Sequence, residues 1–520
     1  MKPTTQTIPA EQGQNKMLFL ACFVAIVTTS FGFILRALTL PQWGAAFNLS
    51  KTQIGEIAGV GLWPFAISIV LFSLIIDKVG YKNSMIFAFV CHISSAVITW
   101  FADGYTMLYV GTFIMALGNG TVEAVTNPAV ASMFPKEKTK WLNFLHAGWP
   151  TGLILGGVIA LLMGPETNWK LKIMLVLTPA ILYGILMFGR KFPLNERVKA
   201  GVSYLDMLKE VGVGGALIIV GLIVFQIGSV FGWTSTVNII VTLAIVGLFG
   251  LYVRSFGQPL FVLMLLIMLP LAITELGTDS WISDLMGPEM AKIGLQGGWL
   301  LIYTSTIMVI LRFSAGSIIH RISPLGLLAV CSAVAALGLF LLSSASGVTI
   351  LVAATVFGLG KSFFWPTMLG VVAERFPKGG ALTLNIAGGV GMIGAGVIGA
   401  VILGFVQDKS IDTSLRTYDQ KNNTALHSTY ATDQRTSMFG KYQAIDVTKL
   451  AQAAPSDRET VTTVQETAKK GALKTVALFP IIMLVSYLLL MLYFKTRGGY
   501  KAVVLHADDD AVATPGPTPA

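Results

Sequence analysis

A helix needs roughly 20 apolar residues to cross a bilayer, and this sequence returns to such a run along nearly its whole length. Six runs bounded by charge, glycine or proline fall in the first part, at 17–40, 54–76, 84–101, 105–133, 142–163 and 173–188. Six more fall in the last part, at 260–285, 298–319, 325–343, 348–373, 381–406 and 476–494. Between the two sets lie 213–231 and 237–253, which hold almost no polar residues. The fold expected is an all-α polytopic membrane protein, two six-helix halves with a central two-helix insertion, about 14 transmembrane helices in all. An even insertion leaves both halves on their expected sides, and its uniform apolarity predicts peripheral, lipid-facing packing.

The segments then run as a polar tail over 1–16, a first half over 17–192, a linker with the inserted hairpin over 193–257, a second half over 258–495 and a second tail over 496–520. The first tail has no cleavable-signal pattern, so the first run is expected to stay as a helix. Only 12% of the residues are charged, against about 25% in soluble domains, too few to cover a water-facing surface. The net charge of +10 does not point to nucleic acid, because the lysines and arginines gather at the ends of apolar runs. Those in the short loops fall on one side if the helices alternate, and the positive-inside rule makes that side cytoplasmic, with both termini there too. The location expected is a cytoplasmic (inner) membrane. The long polar segment 407–470 then lies outside and, lacking apolar periodicity, reads as a mobile loop; the second tail, ending ADDDAVATPGPTPA, is disordered by composition. Three cysteines, all within apolar runs, argue against a disulfide framework.

The stretch 118–157 concentrates the unusual residues. It places Glu123 in a small, apolar run, follows it with Asn127-Pro128, passes through the basic loop 135–140, and resumes with Asn143, His146 and a ladder of glycines. A carboxylate in hydrocarbon is costly and marks a working residue by default. An internal echo accompanies it. Gly118-Asn119-Gly120, Pro128 and Phe134-Pro135-Lys136 are answered by Gly358-Leu359-Gly360, Pro366 and Phe376-Pro377-Lys378, both on the fourth helix of their half.

Six plus six helices with such an echo resemble the major facilitator superfamily, and so a major facilitator fold is expected. The loop after the second helix, SLIIDKVGYK, carries that family's signature in Asp77, Lys78, Gly80 and Lys82, with Ser73 in place of the leading glycine. The matching loop of the second half, GSIIHRI, keeps Gly316 and Arg321 but has His320 where an aspartate is usual. The resemblance implies that these loops gate the cytoplasmic side. Finer marks are similar to the fucose and glucose/galactose permease branch, namely Glu123 before Asn127-Pro128, Leu142-Asn143, Leu40-Pro41-Gln42 and Trp365-Pro366-Thr367. One departure is plain: the branch has an aspartate shortly before Leu-Pro-Gln, and here Ala37 stands there, preceded by Arg36.

The ionisable residues well inside the runs are Arg36, Glu123, Glu275, Asp279 and Lys361, with His92 and His146 as titratable additions. The family architecture lines a central cavity with the first and fourth helices of each half, implying Arg36 beside Glu123 and Glu275 or Asp279 beside Lys361. Three acids then face two bases, and the remainder points to proton or sodium coupling through Glu123, Glu275 or Asp279. Arg36 and Lys361 are either counterions for these acids or receivers of an anionic solute. Gln42, Asn127, Asn143 and His146 are candidate substrate contacts, as are Trp281 and Trp365 for stacking. His92 is expected to pack in a peripheral helix. Trp63 and Trp149, each followed by proline, are expected at helix kinks.

No nucleotide-binding motif, metal-ligand cluster or catalytic constellation is recognisable, so no cofactor and no enzyme activity are expected. The function expected is secondary active transport by alternating access of a small polar solute, a sugar first and an anion such as a sugar acid, carboxylate or nitrate second. A transporter-like sensor without turnover is the alternative from another class.

Overall fold

The computed structural model describes residues 8–164, 166–319, 321–437 and 440–505. Twelve of its helices are long and apolar enough to cross a membrane, and they include α1 (Asn15–Ala46), α2 (Gln53–Val79), α3 (Tyr81–Trp100), α4 (Tyr105–Met133), α5 (Lys138–Met163) and α6 (Trp169–Met187). The hairpin follows as α7 (Tyr204–Val230) and α8 (Ser235–Val253), then α9 (Pro259–Ser283). The shorter apolar helix α10 (Gly298–Phe313) leads to α11 (Pro324–Ser344) and α12 (Thr349–Arg375). Next, α13 (Gly380–Ile393) passes through a π-helical turn, Gly394–Gly399, into α14 (Ala400–Asn422). Each apolar run of the sequence thus has its helix, as it must where no water can satisfy an exposed backbone.

Prolines and glycines shape these helices. α2 breaks at Gly61 and Leu62, before Trp63-Pro64, and α5 breaks at Ala147, before Trp149-Pro150, where kinks were expected. α12 breaks between Lys361 and Phe364, and α9 contains a π-helical turn over Ile273–Gly277. The glycine echo is a packing device. A Cβ on Gly120 would lie 2.1 Å from the Phe65 carbonyl oxygen of α2, and one on Gly118 would lie 2.9 Å from Cys91 of α3. In the second half Gly360 meets Ala335 of α11 at 2.3 Å and Gly358 meets Ile307 of α10 at 3.2 Å. Each half therefore uses one glycine of its fourth helix against the second helix and one against the third, but the order within the motif is exchanged.

α8 presents Leu248 and Leu251, 70% and 74% exposed, on the periphery as expected. α7 differs, because it buries Ala216 and Ile219 and its Ile219 reaches α13 near Gly389. The hairpin is a bracket with one helix against the bundle and one outside it.

The segment 407–470 is not the irregular loop that its composition suggests. α14 extends to Asn422, and after it come α15 (Leu426–Tyr430), the antiparallel strands β1 (Asp433–Ser437) and β2 (Gly440–Ala444), α16 (Val447–Ala451) and α17 (Pro455–Gly471). Ile411, Leu415, Leu426, Tyr430, Ile445 and Val461 form a small core of their own. Asp412 is buried within this cap, accepting from His427 Nε2 at 2.7 Å and Arg416 Nε at 2.8 Å. Lys470 fastens the cap to the bundle by donating to Glu289 and to the Ala345 carbonyl, each at 3.0 Å.

At the opposite, basic end the two sets of six are tied together. Lys138 donates to Glu196 and to the Ala373 carbonyl, and Thr139 donates to Glu374 through its hydroxyl. The last helix, α18 (Leu478–Lys495), leads into a segment that departs from the expected disordered tail: Tyr500 donates to Glu374 at 2.8 Å, and the Val503 amide to the Glu374 carbonyl at 2.8 Å. The acidic and proline-rich end of the tail, like His320, lies outside the described residues.

The close approach of α4 to α2 predicts that Gly120→Ala destabilises the protein by about 1–3 kcal/mol, whereas Gly55→Ala, with nothing within 4 Å of its Cβ, does not. Melting of the two purified variants in one detergent checks this, and equal melting points would contradict the contact.

Candidate functional site

A cleft of about 90 Å³ between the two sets of six is lined by Phe33, Trp149 and Leu153 on one side and by Leu276, Asp279, Leu301 and Met392 among others opposite. It adjoins a narrower pocket of about 20 Å³ that shares Trp149, Leu276 and Met392 and adds Glu123, His146, Glu275, Arg312 and Trp365. Both π-helical turns border this space, through Leu276 and Gly277 on one and Ala395 and Gly396 on the other.

Proline governs how the polar groups meet. A proline has no N–H, so the carbonyl four residues before it loses its helical partner. Pro150 strips the His146 carbonyl in this way, and Pro366 strips that of Ser362. Arg312 supplies both, donating from Nη1 to the His146 oxygen at 2.7 Å and from Nε to the Ser362 oxygen at 2.6 Å. Its third arm, Nη2, meets Glu275 Oε1 at 2.7 Å. The break in α12 leaves the Trp365 N–H without an intrahelical acceptor, and it donates to Glu275 Oε2 at 3.1 Å. The same rule acts at Pro128, whose orphaned partner, the Ala124 carbonyl, accepts from Asn385 of α13 at 2.9 Å.

Glu123 lies in the first half of this site, 5% exposed, and accepts from Asn127 Nδ2 at 2.7 Å. The Asn127 oxygen then accepts from His146 Nε2 at 2.8 Å, and that nitrogen is 3.9 Å from Glu123 Oε2. Carboxylate, amide and imidazole form one buried chain, able to hold a proton at either end. Opposite, Lys361 is fully buried and ion-paired with Asp279.

Of the residues singled out by sequence, Glu123, Asn127, His146, Glu275, Asp279, Lys361 and Trp365 meet around this space. The expected pairing of Lys361 with one of the two acids of α9 forms, with Asp279 as the acid. The expected Arg36–Glu123 neighbourhood does not form: Arg36 lines a different cavity with Trp43 and Thr99. Gln42 donates to the Thr167 carbonyl at 3.1 Å and accepts from Lys172, so it ties loops at one end of the bundle. Asn143 bridges from the Thr139 carbonyl to Thr367, between the two sets of six, and Trp281 packs half-buried on the apolar core. His92 packs as expected, between Tyr183 and Asn119 at 3.0 Å each.

In the loop motif, Asp77 pairs with Arg197 from the linker, and Gly80 takes a φ of 83° that a residue with a side chain rarely adopts. Lys78, Lys82 and Arg321 are exposed. Sequence reasoning passed over Arg312, although it stands inside the run 298–319, and treated Trp149 only as a kink marker.

Apolar helices from both sets of six, packed around a polar, proline-shaped cavity, mark a multi-pass membrane protein. Residues 18–379 match the Major Facilitator Superfamily, and the chain belongs to that family, which is one of transporters and not of enzymes. It is 23% identical over 174 residues to the cis,cis-muconate transport protein of Acinetobacter baylyi, an alignment covering 33% of this chain and 42% of that one. It is 29% identical over 134 residues to the L-fucose-proton symporter of Escherichia coli, covering 25% of this chain and 30% of the relative. The chain thus spans less than half the length of these curated relatives. A crystal structure of a variant of the E. coli fucose:proton symporter superposes with a TM-score of 0.57 at 17% identity, over 91% of this chain and 98% of that one, and shares the fold.

Removing one partner of a buried ion pair costs about 3–5 kcal/mol because the other charge is stranded. Glu275→Gln is therefore expected to melt well below the native protein, and the loss in the double variant Glu275→Gln, Arg312→Gln to be smaller than the sum of the two single losses. Losses that simply add in the same melting assay would contradict a paired Glu275–Arg312.

Proposed function

We propose that the protein is a secondary active transporter working by alternating access, which couples a proton to movement of a small neutral polar solute of the sugar class. The observation that carries this reading is the charge balance of the cavity. Glu275 is answered by Arg312 and Asp279 by Lys361, whereas Glu123 has an amide and an imidazole but no guanidinium or ammonium among the described residues. A proton is the neutralising group left to it, and the Asn127–His146 chain gives that proton a second holder. Trp149 and Trp365 offer flat faces beside these polar groups, an arrangement suited to a sugar ring.

The likeness to the fucose symporter supports the same reading, as do the Glu123, Asn127-Pro128 and Trp365-Pro366-Thr367 matches. On this reading the basic loops are cytoplasmic and both termini lie there, so the ties between Lys138 or Thr139 and α12 close the cytoplasmic gate. Asp77 and Arg197 hold the neighbouring loop, with Lys78, Gly80, Lys82 and Arg321 in the gating motifs. A second reading, an anionic solute, is favoured by the muconate relative. It requires a substrate carboxylate to replace Glu275 or Asp279 on its cation, since both cations are engaged.

Reconstituted vesicles test the coupling. Glu123→Gln is expected to lose pH-gradient-driven accumulation of the substrate at least tenfold while keeping counterflow exchange; undiminished accumulation would remove Glu123 from the coupling role. Native protein that binds but never exchanges would be a sensor. The substrate class is read from melting points against L-fucose, galactose, gluconate and muconate, because a ligand of the folded state raises them. Stabilisation by the neutral sugars is expected, and stabilisation by the acids alone would establish the second reading.

A further inference from the structure

At the basic end of the molecule the last turn of α12 is gripped from two sides. A helix leaves its final carbonyls without intrahelical partners, and two of them are taken here by other parts of the chain. Lys138 of α5 donates to the Ala373 oxygen at 3.2 Å, and the Val503 amide donates to the Glu374 oxygen at 2.8 Å. The Glu374 carboxylate is divided in the same way. Its Oε1 accepts from the hydroxyl and the amide of Thr139, on the first set, and its Oε2 accepts from the Tyr500 hydroxyl at 2.8 Å. The next residue, Arg375, donates from Nη1 to the Lys501 carbonyl at 2.6 Å.

The segment after α18 is folded back to make these contacts. Gly498 and Gly499 take φ of 84° and 96°, a backbone that glycine alone adopts without strain, and the Gly499 amide closes the turn on the Phe494 carbonyl at 2.8 Å. The reversal sets the Tyr500 ring edge-on to Phe494, with centroids 5.4 Å apart, while the Arg375 guanidinium lies 5.0 Å from the centroid of the same Phe494 ring. Tyr500 therefore reaches Glu374 from a fixed seat. A carboxylate bonded through Oε2 has its rotamer chosen for it, and Oε1 is left pointing at Thr139. Glu374 is thus ordered before Thr139 arrives, so less side-chain entropy is lost when the two sets come together.

We propose that the segment 496–505 is a strap that favours the arrangement closed at the basic end, with Tyr500 as a positioning residue that acts through Glu374 on Thr139. The strap rests on α12 and α18, both in the second set, so it can stay in place when the sets part and still bias their return. Whatever lifts it from α12 loosens the tie to Thr139 and raises the share of molecules open at that end. The inference rests on the alternating-access reading for the two ends opening in turn, and it adds a control on one of them.

The test uses the full-length protein purified in detergent, with the buried Cys22, Cys91 and Cys331 replaced by alanine and one cysteine introduced at a time. Ser132→Cys reports on the basic end, from a pocket lined by Pro128 and Lys138 of the first set and Ala373 and Phe376 of the second, and Ser280→Cys reports on the central cleft. The rate of reaction with a water-soluble maleimide reads how often each is open. Tyr500→Phe, which removes the hydroxyl alone, is expected to speed labelling at position 132 several-fold without speeding it at position 280. Thr139→Val should do the same, and Tyr500→Phe on top of it should add little, because both act through Glu374. Labelling at 132 indifferent to Tyr500→Phe overturns the proposal, as does a rise at both positions, which is a general loosening, or two effects that simply add. Counterflow in vesicles keeps the two readings apart. Exchange by the native protein with labelling unmoved by Tyr500→Phe rejects the strap alone, whereas a native protein that never exchanges rejects transport while the labelling still decides the strap.

Discussion

Arg312 is the interaction on which the centre of the molecule depends. Its five N–H groups in a rigid fork reach a carboxylate on α9, a bare carbonyl on α12 and a bare carbonyl on α5. Two of those acceptors exist only because Pro150 and Pro366 remove the amide that would otherwise take them. Desolvating a guanidinium is expensive, and the cost is met here by three good acceptors and a paired charge. The same arginine thus neutralises Glu275, stitches the break in α12 and spans the gap between the two sets of six.

The rest of the site takes its shape from that tie. α9 can bring Glu275 and Asp279 to bear because its π-helical turn displaces the backbone there, a local defect that recurs at functional sites. Asp279 then meets Lys361, and Glu123 is left as the acid without a cation. Three carbonyls exposed by proline, at Ala124, His146 and Ser362, each receive a side-chain donor from another helix. Net hydrogen bonds of this kind are worth about 1 kcal/mol each, enough in sum to hold one arrangement of the helices and few enough to be exchanged. The contacts at the basic end have the same character. Glu374 collects Thr139 from one set and Tyr500 from the segment after α18, so a single carboxylate joins the ties at the basic end to that segment.

Much of this was legible beforehand, for physical reasons. The hydrocarbon core admits only apolar helices, so the spans could be counted from composition along the chain, and a carboxylate inside one had to be exceptional. Lys361 with Asp279 was foreseeable for the same reason. The cap over 407–470 was not, because its core gathers Ile411, Leu415, Leu426, Tyr430, Ile445 and Val461 from separate short elements, none with a long periodic face. Arg312 was passed over although it stands inside the run 298–319. It is the penultimate residue of α10, and its place against α5 and α12 comes from the packing of that helix end and not from the run itself.

The sequence by itself determined the helices, their breaks at Trp-Pro, the glycines needed for close packing, and the presence of more buried charge than a lipid environment tolerates unpaired. Tertiary structure alone decided which charge met which. Arg36 and Glu123 are on helices that both serve the centre, yet the Arg36 guanidinium packs against Gly61 of α2 and the Phe33 ring and does not reach Glu123, while rotation of α10 brings Arg312 inward. Side-chain pairing depends on the azimuth of each helix to within a fraction of a turn. That azimuth is set by the packing of the whole bundle, which no single run of residues encodes.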